Sequence, residues 1–248
     1  MKNILILGGT GYIGNFLQTI LSKSHNVVAV GKTTEKKFVI GKKFDNTLLE
    51  KIDIVIYLSW LFDFHDKNYH QKNLDAFEEV AILCAQNKIK LVFFSTFYAS
   101  SQSNSIYNKA KAECESIALN FNFPVVRLGS VIIEGYDPGG FYGNIISFTE
   151  KYRLFPIFLP DYKKFYLTNS DDLILFCHGL FNLDNGINYL CSQSPAKLYD
   201  LFEFSNKKII KIYIPWKLVF WFLRFFENLG IKLKFHSQSL ISIWGEKE

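Results

Sequence analysis

Tyr107 and Lys111 stand four residues apart in "NSIYNKAKAECE", a spacing that puts both side chains on one face of a helix. A phenol titrates near pH 10 by itself, and a neighbouring ammonium favours its phenolate. Such a pair can give or take a proton near neutrality. Tyr and Lys at this spacing occur on many helices, so the pair gains meaning only from what the rest of the chain sets beside it.

A second group of chemical interest opens the chain. "GGTGYIG" follows the apolar run Asn3 to Leu7 and leads into "YIGNFLQTILSKS", whose apolar residues recur at helical spacing. Gly8, Gly11 and Gly14 allow a tight turn, a close approach of a pyrophosphate to the backbone and close helix-to-strand packing. The N–H groups at the helix start then meet the phosphates. This turn, with Thr10, Tyr12 and Ile13 between and beside its glycines, points to a bound dinucleotide, and Lys111 can then hydrogen-bond the nicotinamide ribose.

The choice of dinucleotide usually falls to the end of the second strand, where an acid accepts bonds from the ribose of NAD. Here the chain reads "VVAVGKTTEKK", with no acid before Glu35. Lys32, with Thr33, Lys36 and Lys37, can instead face a 2′-phosphate. NADP(H) is favoured and NAD(H) is the alternative, these lysines then being a plain solvated turn.

These residues need a scaffold. "NVVAVG", "DIVIYLSW", "IKLVFFST" and "PVVRLGSVII" read as buried strands without polar alternation, and "NLDAFEEVAILCAQN" and "NKAKAECESIALNF" as helices between them. Ser103, Asn104 and Ser105 are available to cap the second helix. The glycine-rich "EGYDPGGFYGN" reads as a long cleft-lining loop. The expected fold class is α/β: a Rossmann-type doubly wound parallel sheet with a small C-terminal substrate-binding lobe. Residues 1–133 form the dinucleotide-binding core, about 165–195 complete the sheet, and 134–248 form mainly the lobe.

Composition narrows the class. The 248 residues are 49% hydrophobic and suffice for a sizeable core. With 28 Lys+Arg against 23 Asp+Glu and no basic stripe with interleaved aromatics, nucleic acid is not an expected partner. Cys84, Cys114, Cys177 and Cys191 lack CxxC spacing and read as reduced buried thiols. Asp63, His65, Asp66 and His70 read as loop polarity rather than as a metal site. The start reads as a strand and turn instead of a secretion signal, and no apolar run near the C-terminus approaches the roughly 20 residues of a span. A cytoplasmic protein is expected. Residues 215–235 are aromatic and basic, and read either as an amphipathic helix at the inner face of a membrane or as packing against the lobe or a partner subunit.

Taken together, "GGTGYIG", "DIVIYLSW", Asn73, "FFST", "YNKAK", "PVVRLGSVIIEG" and "YLTNSDDL" resemble the short-chain dehydrogenase/reductase superfamily, and within it the extended branch that acts on nucleotide sugars. The resemblance implies that Tyr107 and Lys111 are the catalytic pair and that Thr96, with Ser95 as substitute, polarises the reacting oxygen. It places Leu58, Ser59, Trp60 and Asn73 along the cofactor, and Phe97, Ser130, Tyr142 and Asn144 along the sugar nucleotide. It also implies a homodimer and a setting in surface polysaccharide synthesis.

Three departures qualify it. Phe97 and Tyr98 stand where the family's 4,6-dehydratases carry an Asp-Glu pair, which disfavours dehydration. Thr96 and Tyr107 are much closer in sequence than usual, and Trp60 replaces a small residue. The expected function is an NAD(P)-dependent reduction of a keto-sugar nucleotide. The alternatives are a nucleotide-sugar 4-epimerase with tightly held NAD and, from another class, a non-catalytic NAD(P)H-binding sensor or assembly factor.

Overall fold

The computed structural model describes residues 1–63, 66, 68–136, 140–160, 165–201, 208–231, 233 and 235–245. The chain begins with strand β1 (Asn3–Leu7), helix α1 (Tyr12–Leu21), β2 (Asn26–Val30) and β3 (Ile54–Tyr57). Then come α2 (Tyr69–Gln86), β4 (Lys90–Thr96), α3 (Ile106–Asn120) and β5 (Val125–Leu128). Next are β6 (Ser130–Val131), α4 (Gly140–Tyr152), β7 (Leu154–Leu159), β8 (Leu167–Thr168) and α5 (Ser170–Gly179). The last elements are β9 (Ile187–Leu190), β10 (Ile210–Pro215), α6 (Trp216–Asn228) and α7 (Ser237–Trp244).

Six strands form one parallel sheet in the order β2-β1-β3-β4-β5-β9. Its central strands are apolar on both faces because both faces are covered. Leu5, Val55, Leu91 and Phe93 meet α2 and α3 on one side. Ile4, Ile56, Val92 and Phe94 meet α1 and α5 on the other. The chain leaves β1 in opposite directions, to β2 on one side and β3 on the other, and this reversal opens a crevice at the carboxyl ends of the strands.

Two expectations change here. "NVVAVG" is an edge strand, with Val28 43% exposed, because among the described residues no strand pairs beyond it. Between β2 and β3 the chain instead forms an isolated bridge, Gly31 to Lys37, and a short turn of helix at Asn46–Leu49. "PVVRLGSVII" is two strands rather than one. At Gly129 a side chain would lie 2.2 Å from the Tyr166 carbonyl oxygen, and beyond it β6 leaves the main sheet to pair with β8.

The glycine-rich stretch expected as a loop is helical from Gly140, with Ile145 fully buried, and residues 137–139 lie outside those described. A third core joins α4, β7, α6 and α7 around Phe155, Phe165, Leu240 and Trp244, and makes up the C-terminal lobe. The four cysteines are free thiols, and three of them are buried.

Candidate active site

The glycine turn sits at the sheet's reversal. Gly8 has φ +91°, and a Cβ there would lie 2.8 Å from Ser59 N, so the end of β1 presses against the residues that follow β3. Gly14 brings α1 as close: its Cβ would lie 2.3 Å from Gly8 O. Gly11 caps α1 with its backbone alone, no side chain closes the helix end, and no acid stands in the first turn. The positive end of α1 thus meets no capping side chain and no carboxylate of its own first turn. The Tyr12 hydroxyl accepts a bond from Ile133 N at 2.6 Å, which ties this turn to the segment after β6. Ile13 packs on the core beneath it, and Thr10 lies against Gly31. Lys32 is exposed in a turn that Thr34 closes by accepting from Gly31 N at 2.9 Å.

Leu58, Ser59 and Trp60 leave β3 in a fixed course. Leu58 N donates to Leu7 O at 2.8 Å. Asn73, 1% exposed, accepts from Leu61 N at 2.7 Å and donates to Leu61 O and Tyr69 O at 3.0 and 2.8 Å. Its amide is therefore occupied by backbone, and it acts on the cleft by holding the loop that carries Trp60. The Trp60 ring lies over the Lys111 ammonium, 4.2 Å from nitrogen to centroid, and meets Tyr107 edge-on at 5.5 Å. Phe62 stacks on Tyr107 at 5.8 Å.

Helix α3 brings Tyr107 and Lys111 to this loop. Ser105 is its N-cap, accepting from Asn108 N, and Ser103 Oγ accepts from Ser105 N at 2.9 Å. Glu115 and Arg127 form a bidentate pair, at 2.9 and 2.6 Å, that fixes the helix to β5. Lys111 Nζ donates to Phe94 O at 2.9 Å. Burial lowers the Lys111 pKa to about 8, against the opposing effect of Cys114 and Glu115. Burial, with a smaller contribution from Tyr69, pushes the Tyr107 phenol well above its ordinary value. The sequence pointed to a phenol lowered by Lys111, and the structure corrects this. The ammonium is turned to Phe94 O and the Trp60 ring, 5.9 Å from the Tyr107 centroid, so desolvation wins.

The end of β4 supplies two hydroxyls. The pleat points Ser95, like its register partner Arg127, toward α3, and Thr96, like Leu128, toward the other face. Ser95 Oγ is buried and without a hydrogen-bond partner among the described residues. Thr96 is half-buried at the rim, where its Oγ1 accepts a long bond of 3.4 Å from Tyr98 N.

On the lobe side, Ser130 and Tyr142 hydroxyls bond at 2.5 Å, and Asn144 follows half-buried on α4. Phe97 stacks on Tyr166 at 4.2 Å. Tyr98, whose phenol is pushed up to about 12 by burial and by Tyr166, interacts in turn with Tyr142. Tyr98 and Phe62 were absent from the sequence-derived site. The Phe97-Tyr98 pair signalled only that carboxylates are missing, and Phe62 carried no motif. Of the acids and histidines between β3 and α2, Asp66 is held by Lys72 at 2.6 Å and by Asn68 N, and His65 lies outside the described residues.

No family model matches the sequence, and no curated protein matches it. Solved structures do. MoeE5 in complex with UDP-glucuronic acid and NAD superposes with a TM-score of 0.73 over 86% of this chain and 85% of its own, at 20% identity. The two share one fold, a Rossmann-like α/β architecture built on a parallel sheet. A second structure with this fold, UDP-glucuronic acid 4-epimerase from Bacillus cereus with UDP-glucuronic acid and NAD, gives a TM-score of 0.70 at 18% identity over 86% of both chains. TunA, an NAD-dependent NDP-hexosamine 5,6-dehydratase, gives 0.66 at 14% identity over 99% of this chain and 98% of its own.

Proposed function

We propose that this chain is an NAD(P)-dependent oxidoreductase of the extended short-chain type, acting on a nucleotide-activated sugar, and that its reaction is the reduction of a keto group. The observation that carries this reading is a convergence at the carboxyl edge of one parallel sheet. The side-chain-free helix start at Gly11, the half-buried Thr96 at the end of β4, and the buried Tyr107–Lys111 pair on α3 all lie along that edge. Solved proteins with the same fold carry NAD and UDP-sugars, which supports both ligand classes.

The residues fit a dinucleotide at the pyrophosphate end, where Gly11 begins α1 with neither a capping side chain nor an acid in the first turn, so that the helix start can face a phosphate. A bound nicotinamide supplies the hydride. Tyr107, kept neutral by burial, gives its proton to the oxygen of the reduced carbonyl and regains one from solvent. Thr96 donates a hydrogen bond to that oxygen. We assign this role to Thr96 rather than Ser95 because Ser95 Oγ is shut off from the cleft. Lys111, at about 8, is largely protonated at neutrality and steadies the charge left on Tyr107. Ser130, Tyr142 and Asn144 face the sugar nucleotide.

The second reading is a 4-epimerase that retains NAD, favoured because one matching structure is an epimerase with NAD. Lys32 at the end of β2 favours NADP(H) for the reductase, so the retained nucleotide separates the two. Mass spectrometry of the nucleotides released on denaturing freshly purified protein is the test. NADP(H), or a site that fills only when NADPH is added, supports the reductase, while bound NAD or NADH supports the epimerase. Absence of binding to either cofactor would overturn both.

A further inference from the structure

Helix α6 is apolar on two sides. Its inner side, with Leu223 buried and Trp216, Val219 and Phe220 packed on the third core, anchors it to the lobe. Its outer side carries Leu218, Trp221, Phe222, Phe225 and Leu229, each 60–66% exposed. A helix apolar all round belongs in a core or against a membrane, and an outward row of aromatics is costly in water unless something covers it. On the helical wheel, exposed Lys217 and Arg224 form a stripe along one flank of this row. The one acid of the helix, Glu227, is turned inward, where it accepts from Ser237 N at 2.8 Å and Ser237 Oγ at 2.6 Å.

Charge singles out the same segment. Residues 207–234 hold seven Lys and Arg against one acid, a net of +6. The rest of the chain, with 21 cations and 22 acids, sums to −1. The positive excess of the sequence therefore lies in the segment that contains this helix, and of these cations Lys217 and Arg224 flank the aromatic row.

We infer that α6 docks the protein on an anionic lipid bilayer, with Trp221, Phe222 and Phe225 entering the interface and Lys217 and Arg224 meeting the headgroups. Aromatic side chains flanked by cations are the residues that settle at this boundary, and each cation near an anionic surface adds to the binding. Among the described residues no helix is long and apolar enough to cross a membrane, so the contact is peripheral. A second copy fits less well, since apposing two such faces brings Lys217 and Arg224 of each chain toward like charges.

The test is co-sedimentation of the full chain with vesicles of phosphatidylglycerol and phosphatidylcholine in equal parts, and with vesicles of phosphatidylcholine alone. Binding to the first and not to the second is expected, together with a blue shift of tryptophan fluorescence that Trp221→Phe abolishes. Lys217→Glu with Arg224→Glu should lower the partition coefficient roughly 30-fold or more. Trp221→Ser with Phe225→Ser should lower it about as far, and both double variants should keep the parent's thermal unfolding because the residues are exposed. No binding by the parent overturns the inference, as does binding that neither variant reduces. A dimer that Trp221→Ser with Phe225→Ser dissolves, without vesicle binding, overturns it as well and assigns the face to a second copy.

Discussion

At the scale of single residues, the site is governed by desolvation. Lys111 has exchanged water for one carbonyl and an indole face, and its pKa falls from 10.5 to about 8. Between those two values the unfolded chain binds more protons than the folded one, so stability rises with pH across this window. Lys111→Met should therefore stabilise the fold near neutrality by on the order of 2 kcal/mol, a gain that fades as pH climbs through the window. Urea unfolding of both proteins across the alkaline range checks it, and a gain independent of pH would contradict the assignment. Tyr107→Phe keeps the ring contacts with Trp60 and Phe62 and removes the proton. Turnover should fall by about 10²-fold or more with cofactor affinity retained, and an unimpaired variant would favour a binding protein over an enzyme. Thr96→Val should cost more turnover than Ser95→Ala; the reverse order would transfer the hydroxyl role to Ser95. That Tyr107 and Lys111 share one helix was legible from their spacing. The direction of their pKa shifts was not, because burial and the turn of the ammonium toward Phe94 O are set by residues remote in sequence.

Elements matter through the attachments that aim these groups. The Glu115–Arg127 pair lies on the face of α3 that meets β5, with its carboxylate nearly buried. Glu115→Gln leaves the guanidinium without its counter-charge, and should cost about 3 kcal/mol in chemical unfolding. Asn73 acts likewise on the loop after β3. Replacing it by Ala orphans the Leu61 backbone, and the freed Trp60 should show itself as increased quenching of tryptophan fluorescence by acrylamide. In the sequence Asn73 read as a cofactor contact implied by the family likeness. Its bonds to Leu61 and Tyr69 depend on how α2 packs beside the loop, which spacing along one chain does not reveal.

For the whole molecule, the C-terminal lobe reaches back to the site. Asn104 donates to Gly245 O at 2.8 Å and Asn108 to Ser242 O at 2.9 Å, so α7 grips the first turn of the helix that carries Tyr107. Trp244 anchors α7 in the third core. Trp244→Ala should destabilise by about 3–5 kcal/mol in thermal unfolding. Asn108→Ala should lower turnover more than stability, since it loosens the aim of α3 while the core stays filled.

The sequence by itself determined the parallel α/β class, the glycine turn and the Tyr–Lys pair, because strand and helix periodicity and a turn that requires glycine are local properties. Only the tertiary structure decided that β2 is an edge, that Gly129 ends one sheet and begins another, that Trp60 covers Lys111 and that α6 turns aromatics outward. Each of these depends on what lies across a packed interface, and apolar residues look the same in sequence whether a neighbour covers them or not.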